Sequence, residues 1–284
     1  MRGVSTVLDV AVFLLLVSAA VATVTLPASP APETDVGSVA GTLGTATADV
    51  AYPLSVTVAF ENGTETTIST GRRANGTVAN LLADAAVSSA RLGPPDGNTG
   101  ATGYRRAVAN RTRALLRWFE ADIQVEARWR PYVGAPLSGN LTVGPAPPHS
   151  DRMVATLDVP APVAPVEPSA TRAAAGGYES VATLVANATV RGLYPPRRME
   201  LAIHAGGLAR GLAIRRYRRL LDGLETDVSR SLRTGAVDEV NRALAAALAD
   251  VFATDMRGRY DTPAAAAAAV RAGRVRIVVR GWDA

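Results

Sequence analysis

From Val4 to Leu26 the chain runs VSTVLDVAVFLLLVSAAVATVTL, 23 residues in which Asp9 carries the only charge. About 20 apolar residues suffice for a helix to cross the hydrocarbon core of a bilayer. Residues 4–26 are therefore expected to form a transmembrane helix. Arg2 and the terminal amine precede it, and the first charges after it, Glu33 and Asp35, are acidic. The positive-inside rule then places residues 1–3 in the cytoplasm and everything beyond Leu26 outside. A cleaved signal peptide is the rival reading, with Ala19-Ala20-Val21-Ala22 as its cut site. The apolar run is long for a signal core and the basic region before it is very short, so length favours a retained anchor. Both readings export the remainder.

That remainder has material for a folded domain. The whole chain is 48% hydrophobic, so global disorder is not expected. It contains no cysteine, which removes disulfides, thiol chemistry and thiolate metal sites and leaves packing alone to hold an exported domain. All 30 basic residues are arginine, and the formal net charge is +5. Because the absence of lysine covers the whole chain, coding bias explains it more simply than a specific partner. Arginines nevertheless cluster between Arg191 and Arg233, where ten face four acids.

Five of the eight asparagines begin an Asn-x-Ser/Thr triplet: Asn62, Asn75, Asn110, Asn140 and Asn187. With Ser and Thr at roughly one residue in seven, chance predicts about one. N-glycosylation takes place outside the cytoplasm, so the excess agrees with the topology and predicts a glycoprotein. Some of these positions also suit local structure, as Asn62-Gly63 suits a turn.

Along the chain, residues 27–48 are small, polar and Pro-containing, which reads as a tether, and residues 49–284 as one extracytoplasmic domain. Leu54, Val56, Val58 and Phe60 alternate with smaller or polar residues, then come Asn62-Gly63 and a Thr-rich run. This predicts a hairpin with a type I′ turn. A helix is expected over Thr77–Leu92, stopped by Gly93-Pro94-Pro95, and another from about Gly103 to Trp118. Ile123, Val125, Ala127 and Trp129 then alternate with charged and polar residues, predicting a half-solvated strand. Shorter strands are expected at Asn140–Val143 and Met153–Val159, followed by the Pro-rich crossing Val159–Ser169. Gly177–Val190 suits a helix, and Met199, Leu201 and Ile203 suggest a short strand. Beyond them the chain reads mostly as helix. Tyr217, Leu221, Leu224, Val228 and Leu232 form one apolar stripe, and Val237, Val240, Leu244, Leu248 and Val251 a second. Thr262-Pro263 opens a short Ala-rich helix that Gly273 closes, and Val275, Ile277 and Val279 form a last strand. Antiparallel strands among long C-terminal helices, with no regular βαβ rhythm, make the fold class α+β.

No catalytic signature emerges. His149 stands beside Ser150 and Asp151, but triad residues meet in space and rarely in sequence. His204 ends an apolar run and reads as a packed or surface residue. There is no HExxH, Walker loop, complete GxGxxG or Cys/His metal pattern, so neither a cofactor nor a metal site is expected. Arg210–Arg219 (RGLAIRRYRR) carries the one functional hypothesis: docking to acidic lipid or another envelope protein. A solvated helix face explains the same run more plainly. Nucleic acid is not expected, since clustered aromatics are lacking.

The opening MRGVSTVLDVAVFLLLVSAA resembles archaeal type IV pilin-like subunits, in which a basic residue and a glycine precede the peptidase cut and a long apolar helix follows. The chain as a whole resembles a haloarchaeal family of membrane-anchored proteins associated with pilus-type secretion genes. The resemblance rests on this N-terminus, ARWRPYVGAP at 127–136, RGLYPPR at 191–197 and RVRIVVRGW at 274–282. It implies processing between Gly3 and Val4. The pilin glutamate expected at the fifth mature position is here Leu8, with the acid one residue later at Asp9, where it is a candidate for intramembrane pairing. The functional expectation is a non-enzymatic single-pass surface protein, a component of a pilus-like or secretion assembly, whose partners are the membrane and other envelope proteins. The alternatives are a free-standing anchored binding module and an envelope enzyme.

Overall fold

The computed structural model describes residues 35–59, 65–93, 103–119, 121–147, 152–224 and 226–282. The anchor at 4–26, Gly3, Val4, Asp9, Asn62 with its turn, and His149 lie outside the described residues. Among the described residues no helix is long and apolar enough to cross a membrane. Residues from Val36 onward form one unit, and its fold is α+β: two antiparallel sheets among ten helices.

The unit begins earlier than composition implies. Helix α1 (Val36–Thr45) lies inside the stretch read as a tether. Its three glycines make it a weak helix former, each costing about 1 kcal/mol relative to alanine. Val36, Val39, Ala40 and Leu43 recur at helical spacing and are all buried, so tertiary contact holds the helix. It packs on strands from the far end of the chain, with Gly44 against Leu157.

Strands β1 (Thr47–Ala59) and β2 (Glu65–Thr77) form the expected hairpin, longer than predicted, as a two-stranded ribbon. Pro53 lacks an N–H, and a ribbon tolerates it because each strand has one unpaired edge. The next helix, α2 (Val78–Val87), starts where expected. The Thr77 hydroxyl caps it, accepting from the Asn80 N–H at 3.2 Å. It stops five residues sooner than the sequence suggests, because Arg91–Leu92 leaves it as the short strand β3. Helix α3 (Gly103–Leu116) matches its expectation.

A five-stranded sheet follows, in the order β3-β5-β4-β7-β6, with β4 (Asp122–Trp129), β5 (Leu137–Val143), β6 (Met153–Pro160) and β7 (Arg274–Trp282) antiparallel throughout. One face turns Val125, Ala127, Trp129, Leu141, Val275, Ile277 and Val279 toward α2 and the core. Gly139 lets α2 approach, since any Cβ there would run into the Ala86 carbonyl. The half-solvated reading of β4 needs correction. Gln124 and Glu126 are buried although they point away from that core. Arg280 on the neighbouring strand donates to Gln124 Oε1 and Glu126 Oε2, both at 2.9 Å, Arg128 pairs with Glu126 Oε1, and Gln124 Nε2 donates to the Pro145 carbonyl. The polar groups cover one another and are satisfied.

The helical part comprises α4 (Glu167–Ala173), α5 (Gly177–Leu193), α6 (Pro196–His204), α7 (Gly207–Leu221), α8 (Ser229–Thr234), α9 (Val237–Arg259) and α10 (Pro263–Ala268). Met199, Leu201 and Ile203 belong to α6, not to a strand. Met199 and Ile203, four residues apart, are buried and Leu201 is exposed, which is helical periodicity in a run too short to separate from alternation. The stripe from Tyr217 to Leu232 is interrupted between α7 and α8. Helices α5 and α9 pack along each other. Thr262 caps α10 as expected, accepting from the Ala265 N–H at 3.1 Å, but the helix ends at Ala268, and Gly273 instead lets the chain pass Pro165. Two aromatic residues after or at the end of β4 stitch sheet to helices. Trp129 Nε1 donates to the Ala272 carbonyl at 2.9 Å, and Tyr132, edge-on to Phe252, donates to Asp255 at 3.1 Å.

Candidate basic cleft

Helix α7 carries its cations on one side. Leu212, Arg215, Arg216 and Arg219 share a face by three- and four-residue spacing, while Ala213, Tyr217 and Leu220 turn into the core. The cation face borders a hollow that is open to solvent. It forms one wall of a cleft of about 620 Å³ whose other walls are β1, through Tyr52, Pro53, Leu54 and Ser55, and the start of α3, through Gly103, Tyr104 and Arg106. Gly103 sits against Pro53 so closely that a Cβ would collide with the Pro53 carbonyl, so only glycine lets α3 start there. The rings of Tyr52 and Tyr104 meet at 4.9 Å with a 56° tilt and line the same space.

Several guanidiniums are held before any ligand arrives. Arg219 donates Nη1 to the carbonyl of Ser88, the C-cap of α2, at 2.6 Å. Arg216 lies over the Tyr194 ring at 5.8 Å. Tyr194 in turn stacks on Tyr217 at 4.4 Å and 11°, and its hydroxyl donates to the Arg216 carbonyl at 3.1 Å. Asn241 locks the column. It accepts from the Tyr217 hydroxyl at 2.7 Å and donates to the Tyr194 carbonyl at 3.0 Å. Beside the cleft, Arg105 donates to the Asn140 carbonyl at 2.9 Å.

Among the described residues no carboxylate lines the cleft. Among the described residues none pairs with Arg106, Arg215, Arg216 or Arg219. The electrostatics follow. Burial lowers the pKa of Arg216 and of Arg219, and neighbouring arginines add to the lowering in each case. Guanidinium titrates far above neutrality, so these groups stay charged. Burial pushes the Tyr194 phenol up to about 12, and Tyr104 and Tyr217 are raised by burial as well, Tyr104 with help from Asp84. At neutral pH the cleft therefore offers fixed positive charge and neutral phenols. This composition suits recognition of a negative group.

The sequence picked out Arg210–Arg219 but not its partners. Tyr52, Ser88, Tyr104 and Arg106 come from segments more than 100 residues earlier, and only the Gly103-Tyr104-Arg105-Arg106 run hinted at them. The expected acceptor asparagines do not converge. Asn75 is exposed on β2, Asn110 on α3 and Asn187 on α5, while Asn140 is half-buried on β5. Asn110 accepts from Arg113, and Asn187 donates to the Thr183 carbonyl. Thr112 and Thr189, which complete two of the triplets, are fully buried, and their hydroxyls have no hydrogen-bond partner among the described residues. His204 is exposed at the end of α6, its Nδ1 2.8 Å from the Glu200 carbonyl.

Fold and cleft together define an α+β domain with a preformed anion-attracting hollow. The chain belongs to DUF7284, a family of unknown function, whose pattern it matches over residues 8–282. No curated protein and no solved structure matches it.

Proposed function

We propose that this is a non-enzymatic, single-pass surface protein whose outer domain binds an acidic partner, acting as a component of a pilus-like or secretion assembly. In this reading residues 4–26 are the transmembrane helix, and everything after it lies outside the cell. Asn75, Asn110, Asn140 and Asn187, with Asn62, are the glycan acceptors. The observation that carries binding is the cleft between β1, α3 and α7, lined among the described residues by four arginines and no carboxylate. Arg216 and Arg219 are positioned by Tyr194 and Ser88, and burial raises the Tyr104 phenol further from neutral pH, which suits holding a charge more than moving a proton. The pilus-like context rests on the N-terminal resemblance and the anchor.

The test is made on intact cells. Added protease is expected to digest the domain from outside, and crosslinking is expected to join it to surface-assembly subunits. Charge reversal at Arg215 and Arg219 should lose those crosslinks while leaving the protein in the membrane. A domain untouched by external protease, or one recovered alone after crosslinking, would overturn the reading.

A further inference from the structure

The chemistry of the cleft is narrower than general attraction to acids. Four guanidiniums, with no counter-carboxylate among the described residues, carry more positive charge than one carboxylate neutralises. A phosphate monoester carries about 1.5–2 negative charges at neutral pH and three acceptor oxygens. Guanidinium matches that geometry with paired donors, which Lys does not. The cations line two walls, Arg106 on α3 and Arg215, Arg216 and Arg219 on α7. The Tyr52–Tyr104 pair supplies an aromatic flank for whatever bears the phosphate.

We propose that the cleft is a phosphate-binding site, taking a phosphorylated group clasped between Arg106 of α3 and the arginines of α7. This deepens the acidic-partner reading and rests on it. The group has two sources, a soluble phosphorylated compound or the headgroup of an anionic phospholipid.

The experiment uses the full chain in uncharged detergent or reconstituted in phosphatidylcholine. Inorganic phosphate and pyrophosphate are titrated by calorimetry, with acetate as the comparison anion. The protein in detergent is also floated with vesicles of phosphatidylcholine alone or containing phosphatidylglycerol. Saturable binding of pyrophosphate at least tenfold tighter than acetate is expected. Arg106→Ala and Arg215→Ala, both exposed side chains, should each weaken it about tenfold, since a charge-assisted hydrogen-bonding pair is typically worth a tenfold or greater change. Arg276→Ala, on the opposite face of the sheet, should leave it unchanged. Pyrophosphate binding without preference for the charged vesicles assigns the soluble source. Competition between the vesicles and pyrophosphate assigns the lipid. Equal weak binding of all anions, or binding that survives Arg106→Ala with Arg215→Ala, overturns the inference. If partner crosslinks still depend on Arg215 in that case, the cleft binds an acidic protein surface and the broader reading stands. If neither phosphate nor partner depends on it, both fall.

Discussion

Thr112 on α3 and Thr189 on α5 are wholly buried, and neither hydroxyl has a partner. A hydroxyl left without a hydrogen bond in an apolar setting costs about 1–3 kcal/mol. Thr112→Val and Thr189→Val replace it with a methyl of similar size. Each is expected to raise the unfolding free energy of unglycosylated protein by about 1 kcal/mol, read from denaturant melts. A loss of stability at both would show that the hydroxyls are satisfied in solution, for instance by bound water. The same positions complete Asn-x-Thr triplets, so packing asks for valine where the triplet asks for threonine.

Asn241 on α9 ties three helices together. It bonds Tyr217 of α7 and the Tyr194 carbonyl at the end of α5. Asn241→Leu leaves both a buried phenol and a buried carbonyl unpaired, so a loss of about 2–4 kcal/mol is expected in thermal or denaturant unfolding. Because Tyr194 carries Arg216, the variant should also weaken anion binding, whereas Phe252→Leu, remote from the column, should lower stability without that effect. Sequence reading at this scale succeeded where one element buries a regular face. Helix α3, the stripe Val237–Leu248 of α9 and the alternation of β7 were all legible, because each repeats its period over two turns or several residue pairs. It failed where the decisive neighbour is distant. Helix α1 packs on β6 and β7, more than 100 residues later, and Glu126 is covered by Arg280, 154 residues away. The cleft was half legible for the same reason. Its arginines on α7 are contiguous, but the carboxylate-free wall opposite comes from Tyr52 and Tyr104.

For the molecule as a whole, alkali is the predicted weakness. Burial is the first cause holding the phenols of Tyr104, Tyr132, Tyr194 and Tyr217 above their ordinary value of 10.0. A folded pKa above the unfolded one means that the folded state keeps its proton while the unfolded chain loses it. The resulting stability is complete below pH 10 and drains away as pH climbs, for Tyr194 between pH 10 and about 12. At about 1.4 kcal/mol per unit, Tyr194 alone removes about 2–3 kcal/mol across that window. The melting temperature should therefore fall steeply above pH 10, and phenolate absorbance near 295 nm should appear together with unfolding. Smooth phenolate formation in a protein that stays folded would show these rings to be accessible. With no cysteine, no lysine and only two histidines in the chain, few other groups obscure the titration.

The place of β7 in the sheet sets a timetable. This strand is the last described element of the chain, yet it lies between β4 and β6 and supplies the hydrogen-bonding edge of both. A ribosome that has delivered everything up to Gly273 has made β6 with no neighbour to bond and β4 with one side open. Such a chain should stay susceptible to protease until the nine residues of β7 emerge. Long-range pairing of this kind also slows folding relative to local contacts. The sheet's closure is then a late step, because two of its strands wait for the same partner.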